Sequence, residues 1–478
     1  MEVEIVGLVA FALGLLTVFL GARPALIFFA VSGVLGAAAA FKLSSVGGAS
    51  VPPSHLLLVF LALAGLRDAS VRRYLLETVA FPRAGFWFLL VVAYSLVSAV
   101  FMPRIFTGAT TVFVLGRAPT PLAAIQLAPL APSPTNVTQA VYMVGDLVCF
   151  VLASAMVMAG YTRTVVWALT IAAFVHILLA IVDVASFAVG IGDALSFLRN
   201  GGYKMLADNE IKGFKRIVGG FTEAGAYTYV AVGFYAFALQ LWLHNVRPKL
   251  NGALTLVLGM AILLATSSTA YVTFALYSLI VYAQCVTRIR MGSTRNLIYL
   301  AAGPVAVGLF VMGLMLVPAA WEVVSNLFDV TLAKKLNSSS GVERTAWNSL
   351  ALKNFFDTAG LGAGLGSVRT SSFAVALLSN VGAIGTALFG IFFYTLLRPP
   401  GERTARDPDL PVRQAARSAC IAILISAVIT LGNIDLGIFF TLFAALGTTR
   451  RHEAGRAVGE PVFRRMPVLI AAPIPRTA

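Results

Sequence analysis

Long apolar runs recur along the whole chain, and they limit its fold more than any other feature of the sequence. A helix of about 20 apolar residues spans the hydrocarbon layer of a bilayer, whereas a strand of a membrane barrel needs only about 10. The composition agrees with helices, because 59% of the 478 residues are hydrophobic and 12% are charged, against about 25% charged in soluble domains. A soluble, disordered or coiled-coil chain is therefore excluded, and we predict an all-α, polytopic membrane protein.

The runs predict about 12 to 13 membrane-spanning helices, all within one integral membrane domain that covers residues 1–478. They lie near residues 5–20, 25–41, 55–66, 86–102, 140–160, 164–190, 224–243, 251–267, 270–287, 297–317, 373–397 and 418–447. The last run is interrupted by Gly432-Asn433-Ile434-Asp435, which predicts two short helices joined by a polar tip. The first run lacks a preceding cationic region, so we do not expect a cleaved signal peptide.

The basic residues are unevenly divided between alternate connections, and this division predicts the orientation of the chain. With the N-terminus outside, 22 of the 35 lysines and arginines fall in inner connections or in a basic cytoplasmic tail at 448–478. This excess accounts for the net charge of +15 without a nucleic-acid partner. Five cations remain in each of two external loops, a first basic loop at 191–223 and a second at 318–372.

A third external connection, 103–138, is rich in proline, which excludes a regular helix throughout. We expect an ordered external loop there. Arg104 follows Pro103 at its start, where an arginine can either meet a ligand or snorkel to the membrane surface.

The sequence offers no obvious metal site. The three cysteines lie in apolar runs, the four histidines are scattered, and the external loops contain no Asp-x-Asp pair. We therefore expect neither a metal ion nor another cofactor. Asp146, His176 and Asp183 lie within spans and are isolated from one another in sequence. Hydrogen bonds to neighbouring helices are the favoured interpretation, and an intramembrane function is the alternative.

The two basic loops combine cations with glycines. Arginine offers a planar fork of donors that suits phosphate oxygens, and glycine permits close backbone approach with N–H groups open to anions. Such loops therefore suit a substrate with a diphosphate group. The alternative is that both loops are simply solvated.

Three motifs stand out within this region. The first is Arg216–Glu223, in which an arginine, two residues, two glycines and a phenylalanine lead into a long apolar run. The second is Leu263–Ala270, a polar break between two spans. The third contains Arg344-Thr345-Ala346-Trp347, the Gly-rich run 360–367, Ser371-Ser372 and Gly382-Ala383-Ile384-Gly385.

These motifs resemble the O-antigen polymerase and O-antigen ligase superfamily of polytopic, GT-C-type transferases that act on lipid-linked glycans. The family pattern has an arginine before a long helix, a polar break, and an arginine with a tryptophan three residues on, followed by a Gly-rich turn. Arg344 and Gly360 are separated by 15 residues, which is similar to an Arg-x15-Gly motif of polymerases. The likeness covers about 190–390.

The resemblance implies a bacterial inner-membrane enzyme whose active site faces the periplasm. A polymerase would join polyprenyl-diphosphate-linked repeat units, with undecaprenyl diphosphate as carrier, into O-antigen, capsule or exopolysaccharide. The family's implied partners are the lipid-linked glycan, the bilayer, a chain-length regulator and a flippase. Diphosphate is a good leaving group, so the enzyme needs charge neutralisation, alignment and at most one base.

With this chemistry, we expect roles for the following side chains and glycines. Diphosphate contacts are assigned to Arg216, Arg344, Arg369, Lys353 and Arg104; catalytic roles to Glu223, Glu343 and Arg344; and loop backbone or glycan contacts to Gly219, Gly220, Gly364, Gly366 and Trp347. Asp357 and His55 are further candidate bases. The structural alternatives are a Glu343–Arg344 ion pair, membrane-interface anchoring by Arg216 or Trp347, and a simple N-terminal helix charge at Glu223.

Two departures from the family pattern bear on the reaction. The second motif reads Ser267-Ser268-Thr269 where the family often has a Ser-Arg pair. Ligases carry a histidine after the Gly-rich turn, but this chain has Ser371-Ser372-Phe373 there. The polymerase is therefore favoured, with an O-antigen ligase as one alternative. A flippase or transporter is the other, although it would need charged or broken helices in matched halves.

Overall fold

The structure is a computed structural model that describes residues 2–43, 49–115, 125–202, 210–211, 214–288, 294–316, 339–398 and 407–450. Within these residues the chain forms 16 helices. Their bounds are Ile5–Leu20 (α1), Ala22–Ser32 (α2), Pro53–Arg67 (α3), Ala69–Arg72 (α4), Leu75–Thr78 (α5), Ala84–Ile105 (α6), Pro134–Met158 (α7), Thr162–Ala188 (α8), Ala224–Leu243 (α9), Pro248–Leu264 (α10), Ser268–Thr287 (α11), Thr294–Leu316 (α12), Ser339–Asp357 (α13), Phe373–Leu397 (α14), Leu410–Thr430 (α15) and Gly437–Thr448 (α16).

Seven helices of the described chain are long and apolar enough to cross a membrane: α6, α7, α8, α9, α11, α14 and α15. Five shorter apolar helices, α1, α2, α3, α10 and α16, accompany them. The prediction of an all-α, polytopic membrane protein is confirmed. Gly432–Asp435 interrupts the last apolar run as predicted, between α15 and α16.

The predicted span at 25–41 is wrong in its second half. Helix α2 ends at Ser32, and residues 34–40 continue as non-helical chain in which Val34 and Ala37 to Ala40 are buried. The backbone there bonds to other elements, because Ala37 N donates to Gly220 O at 2.9 Å and Ala40 N to Val51 O at 2.8 Å. Hydropathy could not distinguish this buried segment from a helix, since both are apolar.

Three small antiparallel sheets join the helices. Strands Glu2–Val3 (β1), Phe41–Leu43 (β2) and Ala49–Val51 (β3) form one sheet in that order, with Phe41 opposite Val51. The hairpin of Thr111–Leu115 (β4) and Ile125–Pro129 (β5) has Thr111 opposite Pro129, and Glu210–Ile211 (β6) pairs with Phe214–Lys215 (β7). The Pro-rich connection is therefore not helical throughout, as expected, although residues 116–124 lie outside the described chain.

Helix α9 occupies the centre of the bundle, since 83% of the residues in its most apolar stretch are buried. It packs against α8, α10, α11 and α15. Its small residues permit this approach: a side chain at Gly233 would meet Ile423 Cδ1 on α15 at 2.7 Å. Small residues at helix contacts are typical of membrane bundles, where close packing replaces the hydrophobic effect.

Long-range contacts place both basic loops at one end of the bundle, which we call the loop end. Val34 O lies against Gly220, and Asn136 at the start of α7 donates to Leu365 O at 2.6 Å. Thr430 at the end of α15 contacts Arg344. Of the second basic loop, 318–338 lies outside the described residues, as do 203–209 and 212–213 of the first and 451–478 of the tail.

Candidate functional site

The segment before α9 is held by a buried carboxylate at the end of α8. Asp183 Oδ2 accepts hydrogen bonds from Val218 N at 2.9 Å and from Gly219 N at 3.0 Å. Its other oxygen lies 2.7 Å from Arg199 Nη2, and both side chains are only 2% exposed. Arg199 Nη2 also donates to Gly219 O at 2.7 Å. This network fixes the backbone on both sides of Gly219 and so positions the preceding Arg216.

Arg199 is itself well compensated, which explains how a buried cation is tolerated there. Its Nη1 lies 2.6 Å from Asp193 Oδ1, while Asp183 pairs with its Nη2. Lys215 Nζ approaches the same Asp183 oxygen at 3.7 Å. The prediction that Asp183 bonds to a neighbouring helix was wrong in its partner, because the partners are loop residues. Asp146 does meet a helix, since it accepts from Thr441 on α16 at 3.3 Å.

Arg216 is partly buried and interacts electrostatically with side chains from three helices: Glu223 at the start of α9, Tyr271 on α11 and Arg344 on α13. Burial lowers the pKa of its guanidinium, the Arg344 charge lowers it further, and Glu223 and Tyr271 oppose this effect. Arg216 Nε is buried and has no hydrogen-bond partner among the described residues. A buried donor without an acceptor costs about 1–3 kcal/mol. Arg216 therefore has a buried N–H donor without an acceptor among the described residues, and a second cation, Arg344, acts on the same side chain.

Helix α13 supplies the second cation. Residues three, four and seven positions apart share one face of a helix, so Arg344, Trp347, Asn348 and the buried Ala351 face the same way. Arg344 Nη1 donates to Thr430 Oγ1 at 3.3 Å. Asn348 Oδ1 accepts from Ser371 N at 2.9 Å. These bonds join α13 to the residue that ends α15 and to the chain that follows the Gly-rich turn.

Arg369 lies over the indole ring of Trp347, with its Cζ 4.2 Å from the ring centroid. Burial lowers the pKa of Arg369, and the Glu343 charge opposes that effect. Arg369 Nε is a second buried donor for which the described chain provides no acceptor. Since Arg369 covers one face of the indole ring, Trp347 can offer a sugar no more than its other face.

The Gly-rich turn contacts protein along its length. Ala363 N donates to Ser379 O at 2.8 Å, and Gly364 N donates to Asn380 O at 2.9 Å. At Gly382, where φ is 64°, helix α14 is non-helical, and an added Cβ would meet Leu361 backbone at 2.4 Å. The turn and the kinked helix thus fit against each other, and glycine is needed for that approach.

For Gly219 and Gly364, this packing contradicts the expectation that the glycine N–H groups are open to anions. Gly364 N is bonded to α14, and a side chain there would meet Pro103 Cδ at 2.6 Å. Gly219 N is bonded to Asp183. Gly220 O accepts from Ala37 N at 2.9 Å, and Gly366 O accepts from Thr135 Oγ1 at 2.7 Å. These four glycines therefore have contacts within the protein that shape the two loops.

Several predicted residues are not brought into this group. Lys353 is exposed and follows Arg344 by about two and a half helical turns, so it lies on the opposite face of α13. Arg104 is exposed and its Nη1 donates to Val100 O of its own helix. Asp357 Oδ2 accepts from Thr110 Oγ1 at 2.5 Å, which ties α13 to the chain just before β4. His55 packs on the Tyr142 ring, 4.9 Å between centroids.

Sequence reasoning missed Tyr271 and Thr430, both of which border the arginines. Tyr271 lies in the first turn of α11, and its hydroxyl donates to Leu263 O at 3.0 Å across the polar break. Thr266 within that break has a positive φ of 47° and a buried hydroxyl with no described partner. A threonine with positive φ is strained and often marks a functional region. The polar break itself was the available signal.

No group of three or more histidine, cysteine, aspartate or glutamate side chains in the described residues could hold a metal ion. No family model matches this chain, and no curated protein matches it. The interpretation of the site therefore depends on its residues and their geometry.

Proposed function

We propose that the chain is a glycosyltransferase that joins polyprenyl-diphosphate-linked repeat units into a surface polysaccharide. The observation that supports this most directly is that Arg216 and Arg344, from loops that are far apart in sequence, act on each other electrostatically at the loop end of the bundle. Two cations near each other repel, and an anion between them removes that repulsion. A diphosphate suits the position, since arginine binds phosphate oxygens in a planar fork.

Membrane depth adds support for a lipid-linked substrate. Arg216 precedes the first turn of α9 and Arg344 contacts the last residue of α15, so both lie at the ends of spans. The diphosphate of a prenyl lipid lies at this level, with its chain among the helices and its glycan in water. The loop end is then the periplasmic face of the bacterial inner membrane, consistent with the greater number of basic residues at the opposite end.

The reaction breaks the bond between the glycan's anomeric carbon and the diphosphate, and forms a bond from that carbon to a hydroxyl of the second repeat unit. Arg216 and Arg344 stabilise the charge that develops on the departing phosphate. Arg369 adds a third positive charge; it is held near α13 by its contact with Trp347 and by the bond from Ser371 to Asn348. Glu223 at the start of α9 acts on Arg216 through its charge and is the candidate base that takes the acceptor proton.

The decisive experiment is elongation of a purified polyprenyl-diphosphate repeat unit by the purified protein in bilayers, with chain length read from gels. We expect Arg216→Gln and Arg344→Gln each to reduce the rate about 10²- to 10³-fold, the usual effect of losing one electrostatic stabiliser. Lys353→Gln is the matched control, because it removes a cation from the opposite face of α13 and is expected to change the rate less than about twofold.

Equal losses in the Lys353 control and the Arg344 variant would contradict the proposal. So would elongation that stays near the wild-type rate in both arginine variants. A product attached to lipid A-core without any change in its length would identify a ligase instead.

A further inference from the structure

A second group of arginines lies at the end of the bundle opposite the loop end. Helix α15 begins there, and Thr430, its last residue, contacts Arg344 at the loop end. Arg413 precedes Thr430 by 17 positions, which at about 1.5 Å per residue is about 26 Å along the helix. This distance approaches the thickness of a bilayer core, about 30 Å. Arg413 and Arg417 are therefore at the level of the lipid head groups on the other side.

Three arginines lie at this end of the bundle, and we call Arg413, Arg417 and Arg450 the Arg417 cluster. Arg413 and Arg417 are one helical turn apart on the same face of α15, and Arg450 follows the end of α16. Each of the three is within electrostatic reach of the other two. Residues from two adjacent helices thus bring three positive charges together beside the last turn of α16.

Two carboxylates of the described chain, Asp407 and Asp409, act on Arg413. Asp407 Oδ2 lies 3.0 Å from Arg413 Nη2, and Asp409 also acts on Arg413. The charged side chains that act on Arg417 are Arg413 and Arg450, and both are positive. Among the described residues, Arg413 is thus compensated by carboxylates, whereas none acts on Arg417.

Two arginines of the cluster have donor nitrogens without acceptors in the described chain. The Arg413 side chain is 2% exposed, and its Nε is buried with no hydrogen-bond partner. Arg417 Nε donates to Gly447 O at 2.9 Å, which leaves the terminal nitrogens of this half-buried fork without a described partner. Buried donors almost always have partners in folded proteins, so this combination of charge and open donors points to an anionic ligand.

We propose that the Arg417 cluster is a second binding site, distinct from the candidate site, and that its ligand is a phosphate group. The fork of Arg417 contacts the phosphate oxygens from the bilayer side, Arg450 adds charge from the exposed side, and Arg413 Nε completes the site from beneath. An anionic phospholipid presents such a phosphate at the right depth, because basic pockets between helices near the cytoplasmic surface bind acidic head groups. Inorganic phosphate carries the same chemistry from solution.

The test compares lipid retention by native mass spectrometry of the full-length protein from nanodiscs of phosphatidylcholine with and without phosphatidylglycerol. Wild-type protein is expected to retain phosphatidylglycerol over phosphatidylcholine, and Arg417→Gln to reduce that preference about tenfold or more. Arg450→Gln, at an exposed position, provides a second variant that tests the site if Arg417→Gln does not fold. Arg398→Gln is the matched control, since Arg398 is exposed at the same end, and it is expected to behave as wild type.

A parallel arm adds millimolar inorganic phosphate. Displacement of the lipid, or a thermal stabilisation that Arg417→Gln abolishes, supports a phosphate site that is also open to solution. Two results overturn the proposal: no preference of the wild-type protein for either phosphate source, or equal retention by wild type, Arg417→Gln and Arg450→Gln. Neither result depends on glycan elongation, so this site and the proposed function fail independently.

Discussion

The buried Asp183–Arg199 pair makes a sharp stability prediction, because one carboxylate holds both a cation and two backbone N–H groups. In Asp183→Asn the amide keeps one acceptor oxygen, and its NH₂ group replaces the other. Arg199 Nη2, now 2.7 Å from the position of a lost charge, retains the Gly219 carbonyl, and Nη1 of the same guanidinium retains Asp193. Breaking a buried ion pair from one side costs about 3–5 kcal/mol. Because Asp193 still compensates Arg199, we expect the lower value, about 3 kcal/mol.

Asp193→Asn is the matched control for this substitution. It removes a carboxylate from the same Arg199, but Asp193 is 22% exposed against 2% for Asp183. The partly hydrated ion is expected to contribute less, about 1 kcal/mol. The two variants therefore separate the effect of the charge on Arg199 from the effect of the buried carboxylate that also fixes Val218 and Gly219.

The assay is reversible unfolding in mixed micelles, followed by the fluorescence of the native tryptophans, with free energies extrapolated to zero denaturing detergent. A difference of about 2 kcal/mol between the two variants is expected. If Asp183→Asn lowers the free energy of unfolding by no more than Asp193→Asn does, then Asp183 does not organise the segment before α9. The positioning of Arg216 would then need another explanation.

Two further predictions concern packing and orientation. Gly382→Ala is expected to lower the free energy of unfolding by at least about 2 kcal/mol, because its φ is 64° and the new Cβ would meet backbone atoms at 2.4 Å. At Gly390 of the same helix an added Cβ would meet no atom, so Gly390→Ala is the control and is expected to be neutral or slightly stabilising. Equal losses of stability in the two variants would refute the need for glycine at the kink. With Lys353→Cys and Arg398→Cys, an impermeant maleimide added to spheroplasts is expected to label only the first, since the native cysteines are buried. Labelling of Arg398→Cys without permeabilisation would reverse the proposed orientation.

Hydropathy predicted most of the membrane helices because a spanning helix must satisfy its own backbone and expose apolar side chains. The predicted spans at 224–243 and 373–397 coincide with α9 and α14. Hydropathy failed at Val34–Ala40, where an apolar segment is buried by other parts of the chain. It also carried no information on the β4–β5 hairpin, although Thr111-Val112-Phe113-Val114 has the β-branched and aromatic residues typical of a strand.

The sequence limits the positions of the arginines more than the contacts of the glycines. An arginine near the end of an apolar run must reach water or a ligand, so sequence position limits where Arg216 and Arg344 can lie. A glycine carries no such constraint. The role of the Gly-rich turn depends on Gly382, which lies within an apolar helix and shows its positive φ only in the folded chain. Glycine frequency alone could not distinguish an anion cradle from a close helix contact.

A comparison of Arg199 with Arg216 gives the strongest argument that the second is kept for a ligand. Both belong to the first basic loop, and both are largely withdrawn from water. Arg199 has two carboxylates and a carbonyl within hydrogen-bond distance, which is how a chain neutralises a cation that serves only its own fold. Nε lacks a hydrogen-bond partner among the described residues in both arginines, so the difference lies in the charges: those that act on Arg216 are Glu223 and a second cation, Arg344. A structural role alone does not require that second cation, since a neutral residue at 344 would remove the repulsion. The repulsion becomes useful when an anion binds, because the same two charges then attract it together.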